Sequence, residues 1–217
     1  DAYIQQNSSG GERYPDVKAA ITRAIETGTL VFDYFGHGGE DGFAAERFLD
    51  IPQIKGFKNE NTLPLFISIT CEFSRFDNPL RTSAGENVFW NTSGGAVSMI
   101  TTTREVFIST GQAFNTNLMS VLLEFNDEEL TIAESLEKTK NNYTQRNQKF
   151  FIYYFGDPVK KLAIPKPNIK ITKMNGVDIT QSIDTLKALS KVSFEGVVTD
   201  NLNNILSDFN GSLSTTV

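Results

Sequence analysis

The chain has 217 residues, of which 39% are hydrophobic and 17 are Phe, enough for a substantial core. Its 26 acidic residues outnumber 20 basic ones for a net charge of −6, which argues against a nucleic-acid protein, because phosphate binding needs clustered Lys and Arg. A single Cys excludes an internal disulfide framework, and the chain has no apolar run of about 18 residues that could span a membrane.

The chain begins DAYIQQ, with no initiator Met and no signal peptide, and ends FNGSLSTTV inside an alternating pattern. Both ends read as cuts, so the expectation is an internal piece of a longer protein. Residues 15–27 predict a helix. Pro15 suits a first helical position, Val17, Ala20, Ile21, Ala24 and Ile25 form one stripe, and Gly28 suits the C-terminal turn. TLVFDYF (29–35) predicts a buried strand that runs straight into GHGGEDG. Residues 64–70 predict a second buried strand, ending at Cys71. Ser83 and Glu86 form a capping-box pattern for a short helix to about Trp90, which Gly94-Gly95 stops. GAVSMITTT (95–103) predicts a third buried strand. Ser109 and Gln112 then suggest the cap of a helix striped by Phe114, Leu118, Val121 and Leu122. Thr131 and Glu134 suggest the cap of another, with Ile132, Leu136 and Tyr143 on one side. The basic stretch from Lys138 to Lys149, broken by Asn and Gln, reads as a solvated helix face.

Strands apolar throughout, alternating with amphipathic helices, imply an α/β domain with a parallel sheet covered on both faces. The pattern changes after FIYYFGDPVKKLAIPKPN. Helical stripes cease, Asn175-Gly176 is a hairpin signal, and KVSFEGVV alternates. Two domains are expected: residues 1–165, and residues 166–217 as the start of an all-β domain.

In open α/β sheets, ligands bind beyond the carboxyl ends of the strands. The only His and the only Cys of the chain, His37 and Cys71, each follow a buried strand at such an end. His37 lies in Gly36-His37-Gly38-Gly39, where glycines let backbone approach a ligand and point N–H groups at an anion. A cysteine peptidase needs a thiolate whose population rises beside an imidazolium, N–H donors for the oxyanion and an imidazole to protonate the leaving amine. Cys71 suits the nucleophile, His37 the acid/base, and the N–H groups of Gly38 and Cys71 the oxyanion hole. Taken alone, each residue also suits a plain structural role, a small core thiol or a satisfied imidazole. One His and one Cys do not complete a zinc shell, and GHGG lacks the ending of a phosphate loop. No metal and no cofactor is expected.

YFGHGGEDG (34–42) and TCEFSRFDNP (70–79), followed in order by GENVFWNTSGGAVSMITTTREVF (85–107) and YYFGDPVKKL (153–162), resemble the gingipain-type cysteine peptidases, whose catalytic domain is caspase-like. The form CEFSRFDNP is most similar to the branch that acts as C-terminal signal peptidase in type IX secretion. The resemblance covers about residues 1–165 and implies that His37 is the catalytic His and Cys71 the nucleophile. It also implies an immunoglobulin-like domain from residue 166, and a place on the outer face of a bacterial outer membrane beside a β-barrel partner. The reaction it implies removes C-terminal sorting domains from secreted cargo and passes the cargo, sortase-like, to an anionic lipopolysaccharide.

In this family strands and helices precede the His strand, and here only a stub and one helix do, so the N-terminal part of the domain is expected to be missing. The acid that orients His37 is then expected upstream, with Asp33, Glu40, Asp41 and Glu72 as nearby carboxylates and Asp33 better suited to a sheet-edge contact. The loop Gly39-Glu40-Asp41 and the strand exit Thr102-Thr103-Arg104 are expected to flank the substrate cleft. Arg104 suits either a substrate carboxylate or a structural ion pair. Glu72 suits a substrate contact or a loop tie through Arg75. Two other readings stand beside the peptidase: a catalytically silent surface scaffold, and a generic ligand-binding module in which His37 and Cys71 lie far apart.

Overall fold

The computed structural model describes residues 3–9, 11–124, 130–143, 147–164, 167–181, 190–200 and 202–211. The sequence readings at Pro165 and over residues 212–217 lie outside these. The chain divides into two compact units, Asp1–Ala163 and Ile164–Val217.

The first unit opens with a small hairpin of β1 (Gln6–Ser8) and β2 (Gly11–Arg13), followed by α1 (Pro15–Thr27) and β3 (Val31–Phe35). Three short strands follow, β4 (Gly38–Gly39), β5 (Gly42–Phe43) and β6 (Leu49–Asp50), and then α2 (Ile51–Lys55). β7 (Leu65–Ile69), α3 (Ala84–Phe89), β8 (Ser98–Thr102), α4 (Ile108–Leu122), α5 (Ile132–Asn142), a 3-10 turn at Asn147–Phe151 and β9 (Ile152–Phe155) complete it.

The main sheet has the order β3-β7-β8-β9. β3, β7 and β8 are parallel and β9 is antiparallel to β8. Alternation along β7 splits the core into two layers, as a sheet covered on both faces requires. Phe66 packs with Ile25, Phe43, Ile54, Phe73, Val88 and Met99 on one side. Leu65, Ile67 and Ile69 pack with Ile100, Phe114, Leu118, Ile132 and Leu136 on the other. All five residues of β7 and all five of β8 are buried.

The helix starts follow local chemistry where that chemistry was strong. Ser83 and Thr131 both form full capping boxes, with Glu86 and Glu134 respectively. The expected cap at Ser109 is not used. α4 begins at Ile108 with Phe107 in the N-cap position and no side-chain cap, so the Ser-x-x-Gln pattern lies inside the helix. The basic stretch also departs from a solvated face. Lys149 Nζ donates to the carbonyls of Lys140 and Tyr143, at 2.8 and 3.0 Å, closing the C-terminal end of α5. Lys140 Nζ lies 5.6 Å from the Tyr153 ring centroid, and burial with the nearby Lys149 charge lowers its pKa.

β3 is the second departure. It lies at an edge of the described sheet, with Asp33 and Phe35 exposed, where the sequence predicts a strand buried on both faces. An apolar and aromatic run reads the same with one flanking strand or two.

In the second unit, β10 (Asn168–Met174) pairs antiparallel with β11 (Val177–Asp178) and β12 (Phe194–Thr199) in the order β11-β10-β12. Asn175 and Gly176 turn the β10–β11 hairpin with φ of 52° and 80°, the positive values that an Asn-Gly turn supplies at low cost. Among its described residues only Met174 and Thr199 are buried.

Candidate active site

The register of β3 against β7 fixes where His37 and Cys71 leave the sheet. The last pair is Phe35↔Ile69, and His37 and Cys71 each stand two residues beyond it. Adjacent strands lie about 4.8 Å apart, so the imidazole and the thiol leave neighbouring parallel strands at equivalent positions. His37 is exposed and Cys71 partly buried, its Sγ lying 3.9 Å from the Val106 carbonyl. The generic module predicts two residues far apart, and the paired register does not favour it.

Three layers of contact draw the two turns together. Gly38 follows His37, and a Cβ there would lie 2.7 Å from Thr70 Oγ1 and 2.9 Å from the Gly42 carbonyl. Only glycine permits that approach to the residue just before Cys71. Below, Phe43 of β5 stacks on Tyr34 and on Phe73, with ring centroids at 3.8 and 4.7 Å, so an aromatic column runs from the His strand through the hairpin to the segment after the thiol. Beside it, the first amides of α3 reach both sides: Ala84 N donates to the Glu40 carbonyl at 2.7 Å and Gly85 N to the Phe73 carbonyl at 2.8 Å.

The His37 turn is itself a hairpin. Ala44 N donates to the His37 carbonyl at 2.8 Å, and Tyr34 Oη donates to the same oxygen at 2.7 Å. The first of these bonds makes Gly38↔Phe43 a non-hydrogen-bonded pair of the β4–β5 ladder. The Gly38 N–H therefore points out of that hairpin, as an oxyanion donor must.

A cleft of about 530 Å³ opens beside this arrangement, lined among others by His37, Gly38, Gly39, Glu40, Glu72 and Arg81. Gly39, Glu40 and Glu72 line it beside His37; Cys71 is not among its lining residues, and neither, against the sequence expectation, are Thr102 and Thr103. Both are buried, the Thr102 hydroxyl donating to the Thr70 carbonyl and the Thr103 hydroxyl to that of Phe151. Thr102 closes the buried strand β8 and Thr103 follows it, so both lie in the interior rather than along the cleft. Of the two readings of Arg104, the ion pair is the one observed: its guanidinium forks onto the Asp77 carboxylate, holding that acid below its ordinary pKa and raising its own.

The carboxylates near His37 are each engaged elsewhere. Asp33 accepts from Asn115 of α4 at 2.9 Å, and desolvation raises its pKa, the amide bond offsetting part of the effect. Glu40 accepts from Asn78 at 2.9 Å and pairs with Arg75 and Arg81 at 3.4 and 3.3 Å. Asp41 pairs with Arg81. Glu72 pairs with Arg75 at 3.0 Å and adopts φ of 52°, a left-handed backbone rare for a residue with a side chain. Of the two roles the sequence suggests for Glu72, the tie to Arg75 is present, and sequence reasoning missed the reach of Arg75 to Glu40. It also missed the roles of Phe43 and Phe73, for which the Phe-rich flanks of both turns were the available signal. Among the described residues no group of three or more His, Cys, Asp or Glu side chains is placed to hold a metal ion, and no helix is long and apolar enough to cross a membrane.

The chain belongs to peptidase family C25, the gingipain family, whose family model matches residues 1–163. Its fold is similar to that of the Arg-specific cysteine proteinase gingipain R (RgpB), with TM-score 0.58 and 17% identity over 71% of this chain and 39% of that one. The complex of Porphyromonas gingivalis RgpB pro- and mature domains matches with TM-score 0.57 and 19% identity, over 71% and 40% of the two chains. A third solved structure, described only as a protease, matches with TM-score 0.57 and 15% identity, over 82% and 48%. The chain spans less than half the length of each of these solved chains. No curated protein matches the sequence.

Proposed function

We propose that the protein is a cysteine peptidase in which Cys71 is the nucleophile and His37 the general acid/base. The observation that carries this is the register-equivalent exit of the two residues from β3 and β7 within a family C25 chain. The Cys71 thiolate attacks the scissile carbonyl, and the oxyanion forms against the N–H groups of Gly38 and Cys71. The His37 imidazolium gives its proton to the leaving amine. The acyl group then rests on Cys71 until water or an acceptor amine takes it, with His37 receiving that nucleophile's proton.

The finer reading follows the resemblance of residues 70–79 to PorU-like signal peptidases. In it the leaving amine is the C-terminal sorting domain of type IX cargo, the acceptor an anionic lipopolysaccharide, and the enzyme stands at the cell surface beside a PorV-like barrel. Cells carrying Cys71→Ala are expected to keep the sorting domain on surface cargo, and normal processing in that variant overturns the finer reading.

The chemistry is tested by the rate of Cys71 alkylation with iodoacetamide against pH, in the intact protein and in His37→Ala. Fast alkylation near pH 6 that the variant loses is the expected result. A rate that rises only near about pH 8.5, as for an ordinary thiol, and is equal in both proteins, overturns it.

A further inference from the structure

We propose that Glu40 is a positioning residue which, through Arg75, fastens the His37 turn to the Cys71 turn. The proposal rests on the peptidase reading for its consequence, and on side-chain geometry for its existence. Glu40 lies three residues after His37 and its side chain is 12% exposed. Arg75 lies four residues after Cys71. A single nitrogen of Arg75, Nη1, serves two carboxylates: Glu40 from the His side at 3.4 Å and Glu72 from the Cys side at 3.0 Å. Asn78 and Arg81 hold the second oxygen of Glu40 at 2.9 and 3.3 Å, so the carboxylate cannot swing away without losing three partners.

The geometry points to positioning because of where the bridge ends. Glu72 follows the nucleophile directly and carries the left-handed backbone noted above. Such a conformation persists where surrounding contacts over-determine it. Its N–H donates to the Arg104 carbonyl at 3.4 Å, a long bond, and its side chain is held by Arg75. The bridge therefore joins the peptide unit after Cys71 to the loop after His37. The aromatic column and the α3 amides bring the turns near one another, whereas this contact sets the residue adjacent to the thiol. Glu40 is the covered member of the network, while Arg75 and Arg81 are 37% and 41% exposed, so what the bridge supplies is joint geometry rather than the strength of a buried pair.

The sign of the effect separates positioning from plain electrostatics. Removing a negative charge near Cys71 favours the thiolate, so a through-space role predicts faster alkylation in Glu40→Ala. Positioning predicts slower alkylation, because the His37 partnership is lost.

The test measures two quantities in the intact protein, Glu40→Ala, Arg75→Ala and Arg75→Lys. The first is iodoacetamide alkylation of Cys71 against pH, with His37→Ala as reference. The expected result is a fall of about tenfold near pH 6 in Glu40→Ala and Arg75→Ala, toward the His37→Ala profile, and recovery in Arg75→Lys, whose ammonium can bridge both carboxylates. The second is amide hydrogen exchange. Glu40→Ala is expected to raise exchange over residues 71–78 as well as 36–42, with far-ultraviolet circular dichroism unchanged. Faster or unaltered alkylation with a preserved fold overturns the proposal, as does exchange that rises only around Glu40. A wild-type profile with no His37-dependent limb overturns the peptidase reading instead, and exchange across residues 71–78 then decides the bridge by itself.

Discussion

β7 and β3 run side by side in one sheet and carry the two candidate reactive groups, yet they are held in different ways. β7 is central, with every residue buried between two core layers. It fixes the backbone leading to Cys71 through dispersion and burial on both faces. β3 is at the edge of the described sheet, and Asp33 and Phe35 are exposed. What it lacks in packing, the turn after it recovers through specific contacts: Tyr34 Oη on the His37 carbonyl, Phe43 in the aromatic column, Gly38 against Thr70, and the carboxylate of Glu40. The thiol is placed by a strand and the imidazole by a loop. A site built this way tolerates little change in the contacts of the loop, because no second layer of core corrects their errors.

The sharpest way to break that comparison is to cut one apolar side chain from each strand. Ile67 is fully buried in β7, and Ile67→Ala is expected to lower stability by about 2–5 kcal/mol in urea unfolding. Val31→Ala in β3 is expected to cost about 1 kcal/mol. Equal losses would mean that β3 is sealed as tightly as β7.

Next come two neighbouring glycines of the same turn. Gly38→Ala puts a methyl 2.7 Å from Thr70 Oγ1 and 2.9 Å from a backbone carbonyl, with an expected cost of about 1–3 kcal/mol and slower Cys71 alkylation. Gly39 has nothing within 4 Å of its Cβ position, and Gly39→Ala is expected within about 0.5 kcal/mol of wild type. If Gly38→Ala alkylates at the wild-type rate, the close approach does not set the pair.

Tyr34→Phe removes one of two donors to the His37 carbonyl and is expected to cost about 1 kcal/mol, with the Ala44 N–H still in place. Burial, with a smaller contribution from Glu46, pushes the Tyr34 pKa up to about 12, so the hydroxyl keeps its proton, and its donor role, through neutral pH. A thermal melt of the variant that overlays wild type would remove this contact from the account.

The smallest effect is expected far from the site. The Thr131 N–H and hydroxyl hold Glu134 below its ordinary value of 4.5. Because the folded pKa is the lower one, this contribution is present above the unfolded pKa and fades as pH falls through the folded one. Thermal melts between pH 5 and 3 are expected to decline slightly less steeply in Glu134→Gln than in wild type. An identical decline would show that the cap does not titrate with folding.

Much of the chain was legible where short-range chemistry is decisive. The apolar runs at 65–69 and 98–102, the capping boxes at Ser83 and Thr131, and the Asn175-Gly176 turn all declare themselves within windows of a few residues. Ser109 shows the limit of such windows, since a cap pattern inside a helix looks the same as one at its start. The short strands Gly38–Gly39, Gly42–Phe43 and Leu49–Asp50 carry no readable alternation, being too brief for a period to show. Thr102 and Thr103 illustrate the converse, hydroxyl residues that suggest a cleft and instead satisfy buried carbonyls.

By itself the sequence determined the alternation of strands and helices, the change to β structure beyond the parallel domain, and the pair of candidate reactive residues, because each of these follows from local periodicity or from a residue type that occurs once. Tertiary structure alone decided that Phe35 pairs with Ile69, that Phe43 stacks between Tyr34 and Phe73, and that Arg75 reaches across to Glu40. These are contacts between segments far apart in the chain. Their geometry is set by strand register and by which side chains share a buried layer, and neither is written in any single stretch of residues.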